Sequence, residues 1–201
     1  MHKSYLVELA RQGVAVIPSR ILPRGKIIDL SELFSDHNEI VIKPAISATA
    51  WHTVRIHREY NQRDQAWLNE QLAERDMLVQ PFVPDISNHG ELSFMFFDGR
   101  YSHAVLKQAR DGEFRVQSDF GGTETFYQPG SQEIDEAAAM LRTLENPPLY
   151  ARVDAARLDG KLVLMELEMI EPQLFLRLHE PAVNQFISAI LEKCIDKKTG
   201  R

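Results

Sequence analysis

Cysteine is almost absent from this sequence, with Cys194 the single one among 201 residues. One cysteine cannot form an internal disulfide, and it leaves no set of thiols for a zinc site. The seven histidines are scattered, and no pair has the spacing of metal ligands on a helix. A disulfide-stapled fold and a zinc framework are therefore excluded. Cys194 falls on the apolar stripe of the predicted last helix, so we interpret it as a small buried hydrophobe.

Long hydrophobic runs and an excess of basic residues are also missing. No apolar run approaches the roughly 20 residues that cross a bilayer, and residues 1–13 are too polar for a signal peptide. The net charge is -6 and the pI is about 5.7, whereas a phosphate backbone attracts a basic surface. These features predict a cytoplasmic protein with neither a nucleic acid nor a membrane as partner.

The order of strand and helix patterns predicts an α+β fold with a largely antiparallel sheet, because most strand patterns follow one another as hairpins. Helices are expected at residues 2–12, 63–75, 132–145 and 183–195. Strands are expected at residues 14–18, 39–45, 54–57, 77–83, 91–108 as a hairpin around Asp98-Gly99, from 113 towards Gly121-Gly122, and in a second hairpin within 149–172. The prolines between residues 80 and 90 predict a loop and a boundary between two lobes.

The second hairpin carries the strongest chemical signal. Its alternating runs flank Asp159-Gly160, a dipeptide typical of hairpin turns. Side chains alternate between the faces of a strand, so Arg152 and Asp154 share one face, as do Glu166 and Glu168. A two-residue turn would place the two acidic sets on opposite faces. A three-residue turn would pair Asp154 with Glu166, and we favour it.

Carboxylates that converge in this way repel one another unless a cation neutralises them. Hard oxygen ligands suit Mg²⁺ or Mn²⁺. The alternative is an exposed hairpin whose charged face is in contact with water.

An earlier segment has the character of a phosphate site. The strand EIVIKPA delivers Lys43 to the start of ISATAWHT, a run of small and hydroxylated residues at positions 46–53. Small side chains allow backbone N–H groups to approach an anion, and a lysine adds a positive charge. The run contains no glycine, however, and a plain hairpin with Lys43 along its surface is an equally good interpretation.

Five motifs occur in one order along the chain: a lysine before the first helix, VIKP with its small-residue loop, LVQPFV followed by GEL, FRVQ with GG, and RVD with MELE. In this order they resemble the ATP-grasp superfamily, in particular the branch of glutathione synthetase, ribosomal-protein glutamate ligases and cycloserine-forming ligases. The resemblance implies two small lobes with mostly antiparallel sheets that grip ATP between them, with residues 1–80 as the N-terminal lobe and 81–201 as the C-terminal lobe.

The resemblance also implies a set of nucleotide contacts. Phosphates would bind the two lysines and the hydroxylated loop, adenine would bind the hinge between the lobes, and an acid would bind the ribose. The corresponding positions are Lys3, Lys43, Ser47 and Thr49 for phosphate, Gln80, Pro81, Phe82 and Val83 for adenine, and Glu91 for ribose.

For catalysis, the resemblance implies that Mg²⁺ (or Mn²⁺) binds three carboxylates and that basic side chains stabilise the reacting oxyanions. The metal ligands would be Asp154, Glu166 and Glu168, and the catalytic residues Arg152, Arg115 on a neighbouring strand, and Lys107. The implied reaction activates a small-molecule carboxylate with ATP as an acyl phosphate, which an amine or similar nucleophile then displaces.

Related ligases carry a further domain of about a hundred residues before the first lysine, whereas this chain starts almost at that lysine. We therefore expect either a homodimer or a partner that supplies the missing domain. Two alternatives to a ligase stay open: a degenerate nucleotide-binding module without catalysis, and an ATP-grasp phosphotransferase.

Overall fold

The computed structural model describes residues 1–47, 50–158 and 160–199, with side chains as far as Ile195. The chain divides into two compact units, Met1–Pro84 and Asp85–Arg201. Each unit has its own antiparallel sheet, in accord with the predicted α+β class. Within the described residues no helix has the length and hydropathy of a membrane span.

The first unit packs two helices with a four-stranded sheet. Its helices are Tyr5–Arg11 (α1) and Gln62–Glu74 (α2), and its strands are Arg20–Leu22 (β1), Glu39–Pro44 (β2), Val54–His57 (β3) and Met77–Pro81 (β4). The strands lie in the order β1-β4-β2-β3. Burial alternates along β2, where Ile40 and Ile42 are buried against Leu68 and Leu72 of α2. This period of two is what a half-buried strand requires.

The second unit is built on a five-stranded sheet. Its strands are Glu91–Phe97 (β5), Arg100–Gln108 (β6), Thr123–Tyr127 (β7), Tyr150–Leu158 (β8) and Lys161–Glu168 (β9), in the order β7-β6-β5-β8-β9. Its helices are Pro84–His89 (α3), which begins at the last residue of the first unit, Ser131–Leu141 (α4) and Pro181–Thr199 (α5). The central strand β5 is buried along its whole length, so both faces of the sheet are covered there.

Three local predictions are wrong. The prolines near residue 84 do not enforce a loop, since Pro84 occupies the first position of α3, where a missing N–H costs nothing. The first strand is β1 rather than residues 14–18. Cys194 is exposed instead of buried, because α5 turns this position away from the sheet.

The predicted strand from residue 113 is also absent. Residues 113–117 form no strand, and β7 begins only after Gly121 and Gly122. A methyl group on Gly122 would lie 2.1 Å from the carbonyl oxygen of Val116, so the backbone doubles back on itself here. This close approach breaks the extended pattern that the sequence suggested.

The hairpin of β8 and β9 has the predicted register but reaches it by another route. Asp154 pairs with Glu166, yet Leu158 pairs with Lys161, so only positions 159 and 160 lie between the paired ends. The prediction of a three-residue turn is therefore wrong. Asp159 itself lies outside the described residues. A β-bulge supplies the missing residue, because Ala155 pairs with Leu164 and leaves Met165 without a counterpart.

Candidate active site

A layer of charged and polar side chains occupies one face of the second sheet. Strand pairing places Glu91 opposite Lys107, and Ser93 opposite Asp154. Across the next strand pair Asp154 lies opposite Glu166, and Arg152 lies opposite Glu168. Residues two apart on a strand share a face, so these registers bring the whole set to the same face. The members are Glu91, Ser93, Lys107, Arg152, Asp154, Glu166 and Glu168.

Asp154 is the centre of this layer and is only 3% exposed. Its Oδ1 accepts hydrogen bonds from Ser93 Oγ, from Lys107 Nζ at 3.3 Å and from Arg152 Nε at 2.9 Å. Lys107 also forms an ion pair with Glu91, and both of these side chains are buried. A buried carboxylate requires such partners, since an unpaired charge in the interior is strongly destabilising.

Arg152 bridges two carboxylates. Its Nη2 lies 2.9 Å from Asp154 Oδ2 and 2.8 Å from Glu168 Oε1. Its Nη1 donates to the carbonyl of Gln173 at 3.3 Å, and the guanidinium carbon lies 5.7 Å from the centre of the Phe175 ring. One cationic group thus contacts Asp154 and Glu168 at once, so the two carboxylates lie close enough to share a cation.

The charges perturb one another strongly. Burial would raise the pKa of Asp154, but the adjacent Arg152 and Lys107 outweigh it and hold that pKa well below its usual range. Burial would lower the pKa of Lys107, but the carboxylates of Asp154 and Glu91 raise it overall. For Glu168, burial and the neighbouring negative charge of Asp154 raise the pKa to about 7, against the opposing effect of Arg152. Burial and the negative charge of Asp154 therefore both disfavour the ionised form of Glu168, and a cation bound at this carboxylate would oppose both effects.

The predicted metal ligands share this face, but they do not form a ready-made metal cage. Within the part of the chain that the structure describes, no three His, Cys, Asp or Glu side chains are arranged to hold a metal ion. Asp154 and Glu168 are linked through Arg152, and Glu166 lies across the hairpin from Asp154. Their donor chemistry, carboxylate oxygens only, fits Mg²⁺ or Mn²⁺.

Of the predicted catalytic side chains, Arg152 and Lys107 both contact Asp154, whereas the described contacts of Arg115 are with its own segment, residues 113–120. Arg115 lies in the segment without strand structure, and its guanidinium donates two hydrogen bonds to Glu113, at 3.0 and 2.7 Å. Its guanidinium carbon is 3.6 Å from the centre of the Phe120 ring. Lys107, by contrast, joins Glu91 and Asp154 within the charged layer.

The first unit holds the predicted phosphate residues. Lys3 is buried just before α1, and its Nζ donates to the carbonyl and the hydroxyl of Ser47 at 3.1 and 3.3 Å. The structure thus connects Lys3 to the beginning of the predicted phosphate loop. Lys43 lies near the end of β2, opposite Leu78. Thr49 lies outside the described residues.

The predicted adenine contacts lie at the end of β4 and directly after it. Gln80 is buried, and its amide donates to Ser19 Oγ at 2.9 Å. Pro81 ends β4, while the Phe82 N–H donates to the carbonyl of Glu39 at 3.0 Å. Val83 is buried. This stretch is therefore ordered by backbone pairing, with the Gln80 side chain already engaged.

Ser93 is the member of the charged layer that the sequence did not single out. It is fully buried, and its hydroxyl touches the central carboxylate. The sequence could have indicated Ser93 through its spacing, because it follows Glu91 by two residues on the same strand and therefore lies on the same face.

No protein-family model matches the chain. Among solved structures, D-alanine–D-alanine ligase from Bacillus anthracis, in complex with ATP, aligns over 99% of this chain and 67% of its own, with a TM-score of 0.72 and 16% identity. The ATP-grasp ligase PsnB, in complex with a minimal precursor, Mg and ADP, aligns over 94% of this chain and 58% of its own, with a TM-score of 0.65 and 14% identity. At these identities the likeness shows the fold, which is the α+β fold of the ATP-grasp ligases, as predicted.

One relative is closer in sequence. The cycloserine biosynthesis protein DcsG of Streptomyces lavendulae is 31% identical over an alignment of 212 residues, which covers 96% of this chain and 69% of that protein. The crystal structure of the D-cycloserine synthetase DcsG aligns with a TM-score of 0.83 at 30% identity, again over 96% of this chain and 69% of the other. The chain belongs to the ATP-grasp family of ATP-dependent ligases, which confirms the predicted family and enzyme class.

Proposed function

We propose that this chain joins a small-molecule carboxylate to an amine, or to a similar nucleophile, through an acyl phosphate made from ATP. The observation that carries the proposal is the Arg152 bridge between Asp154 and Glu168, next to the buried Lys107–Glu91 pair. Phosphoryl transfer needs positioning and charge neutralisation more than covalent chemistry from the protein. A buried layer of alternating charges on a rigid sheet is suited to both.

In this proposal Asp154, Glu166 and Glu168 hold Mg²⁺, or Mn²⁺ in its place. The fit rests on the shared face of the three carboxylates and on the cationic nitrogen that already contacts two of them. A bound Mg²⁺ would polarise the phosphate oxygens of ATP. Arg152 then stabilises the oxyanion of the activated carboxylate, and Lys107 neutralises the charge of the Asp154–Glu91 end of the layer.

The nucleotide contacts are proposed from the family likeness. Lys43 and Lys3, with the loop that begins at Ser47, would bind the phosphates. The Gln80–Val83 stretch would bind adenine, with Pro81 acting only as an acceptor because proline has no N–H. Glu91 would bind the ribose and Arg115 would assist Arg152. A cytoplasmic setting, and association with a second copy or with a partner chain, belong to the same proposal.

The reaction can be tested with hydroxylamine, which traps acyl phosphates as hydroxamates. We expect ADP and inorganic phosphate to appear only when a suitable small acid is present, and hydroxamate to accumulate when hydroxylamine replaces the amine. ADP formation with a phosphorylated hydroxyl product and no free phosphate would identify a phosphotransferase instead. Nucleotide binding without turnover for any acid in the panel would identify a module without catalysis.

The metal site can be tested without turnover. We predict that Asp154→Asn and Glu166→Gln each weaken Mg²⁺-dependent ATP binding at least about 10-fold, because each removes one anionic ligand from the shared cation. Isothermal titration with and without Mg²⁺ measures the effect. Glu8→Gln is the matched control, because Glu8 is an exposed acid whose described side-chain partners, Arg11 and Gln12, lie at the end of α1. Unchanged affinity in both site variants contradicts the metal site.

A further inference from the structure

Ser93 is a small polar residue in the buried centre of the second sheet. It lies on β5, the central strand of the second sheet, and is 0% exposed. Its neighbours across the sheet are Asp154 on β8 and Val105 on β6. A small polar residue in such a place costs free energy unless its hydroxyl makes a hydrogen bond. The partner it finds is Asp154 Oδ1.

The two oxygens of Asp154 are held differently. Oδ1 accepts from Ser93, from Lys107 at 3.3 Å and from Arg152 Nε at 2.9 Å. Oδ2 accepts only from Arg152 among the described contacts, at 3.1 and 2.9 Å. Ser93 and Lys107 project from separate strands and both anchor Oδ1. The rotation of the carboxylate is therefore fixed by Oδ1, while Oδ2 points towards the guanidinium.

Glu168 contacts the same guanidinium group that binds Asp154 Oδ2. Arg152 Nη2 contacts Asp154 Oδ2 and Glu168 Oε1 together, so these two oxygens mark where a cation meets both carboxylates. If Asp154 rotated by a quarter turn, Oδ2 would leave this position. The hydroxyl of Ser93 is short and fixed to a central strand, so it opposes that rotation more firmly than a long side chain does.

We propose that Ser93 is a positioning residue for Asp154, whose hydroxyl holds Oδ1 so that Oδ2 faces the cation shared with Glu168. The proposal rests on the proposed metal role of Asp154. Ser93 does not touch the cation or the substrates, and it acts only through the carboxylate. Hydrogen-bonded partners of metal ligands typically contribute 10- to 100-fold to metal affinity or activity, so the effect is measurable.

The test compares three substitutions at one site. Ser93→Ala removes the hydroxyl, Ser93→Cys replaces it with a slightly larger thiol that is only a weak donor, and Ser93→Thr keeps the hydroxyl. Mn²⁺ binding is measured by electron paramagnetic resonance with a non-hydrolysable ATP analogue present. We expect about 10-fold weaker Mn²⁺ binding for the Ala and Cys variants, with binding by the Thr variant close to that of the unaltered protein. The Mg²⁺ concentration for half-maximal rate should rise in parallel, with a smaller change in kcat.

The matched control is Ser102→Ala. Ser102 is also a buried serine of the same sheet, but its hydroxyl is 3.0 Å from His103 Nδ1 and does not reach the carboxylates. We expect its Mn²⁺ affinity to be unchanged. Equal losses in the Ser93 and Ser102 variants, or tight binding by Ser93→Ala or Ser93→Cys, overturn the positioning role. Absence of Mn²⁺ binding in the unaltered protein overturns the proposed metal site itself, and this inference with it.

Discussion

The buried pair of Lys107 and Glu91 provides a quantitative test of the charged layer. Lys107→Met keeps the length and apolar stem of the side chain but removes its charge. Glu91, which is 6% exposed, then loses its ion-pair partner, while Asp154 keeps Arg152. We expect the variant to be less stable than the unaltered protein, and the loss to depend on pH.

The magnitude follows from the carboxyl group of Glu91. Burial already raises its pKa above 4.5, with Lys107 acting in the opposite direction. Without Lys107 the folded state can keep Glu91 protonated. This protonation costs about 1.4 kcal/mol for each pH unit above the unfolded pKa of 4.5, so at pH 7.5 the cost is at most about 4 kcal/mol. At pH 5.5 the same limit is about 1.4 kcal/mol. The sign is fixed, because a raised pKa means that the folded state binds more protons, so stability falls as pH rises.

Urea unfolding followed by circular dichroism at the two pH values measures this difference. We expect the loss caused by Lys107→Met to be about 1 to 3 kcal/mol larger at pH 7.5 than at pH 5.5. Both tryptophans, Trp51 and Trp67, lie in the first unit. Tryptophan fluorescence recorded in parallel therefore reports that unit alone and serves as an internal reference.

The double variant Lys107→Met with Glu91→Gln is the control. It removes the titrating carboxyl group, so the extra loss at pH 7.5 should disappear. An equal loss for Lys107→Met at both pH values would refute the reasoning, and so would a pH dependence that persists in the double variant.

Two further predictions concern single positions. Lys43→Ala should weaken the binding of ATP more than that of AMP, because the proposed contact is with the outer phosphates; titration with both nucleotides measures it, and equal losses would count against the contact. Gly122→Ala should lower the free energy of unfolding by about 2–4 kcal/mol, since its methyl group would lie 2.1 Å from the carbonyl oxygen of Val116. Gly112→Ala is the control in thermal unfolding. No atom lies within 4 Å of its added methyl group, and only the positive φ of 80° adds strain. The predicted clash is contradicted if Gly122→Ala is as stable as Gly112→Ala.

Much of the charged layer followed from the sequence because a strand has a period of two. That period placed Arg152 with Asp154 and Glu166 with Glu168 before any pairing was known. The period could not show that Arg152 contacts Asp154 and Glu168 together. That contact depends on how the long Arg152 side chain packs against Gln173 and Phe175. Nor could it show Ser93 next to Asp154, because that contact depends on which strand lies beside β8.

The errors also have local causes. The true β7, TETFY, has no regular alternation of buried and exposed residues, and the backbone approach at Gly122 places its start beyond the FRVQ pattern. The three-residue turn was inferred from the register that would bring the acids to one face, but the same register also follows from a two-residue turn combined with a bulge. Helix α3 was missed because proline was interpreted as a breaker rather than as a first helical residue.

The bulge at Met165 bears on how this hairpin can be compared with those of its relatives. A turn of two residues and one bulged residue orient the acids as a turn of three residues without a bulge would do. A relative with one insertion in the turn can therefore keep the same acidic face if it deletes one residue from β9. An alignment that places the gap only in the turn will then shift the equivalents of Glu166 and Glu168 by one position. Insertions and deletions in this hairpin should accordingly be assigned as compensating pairs.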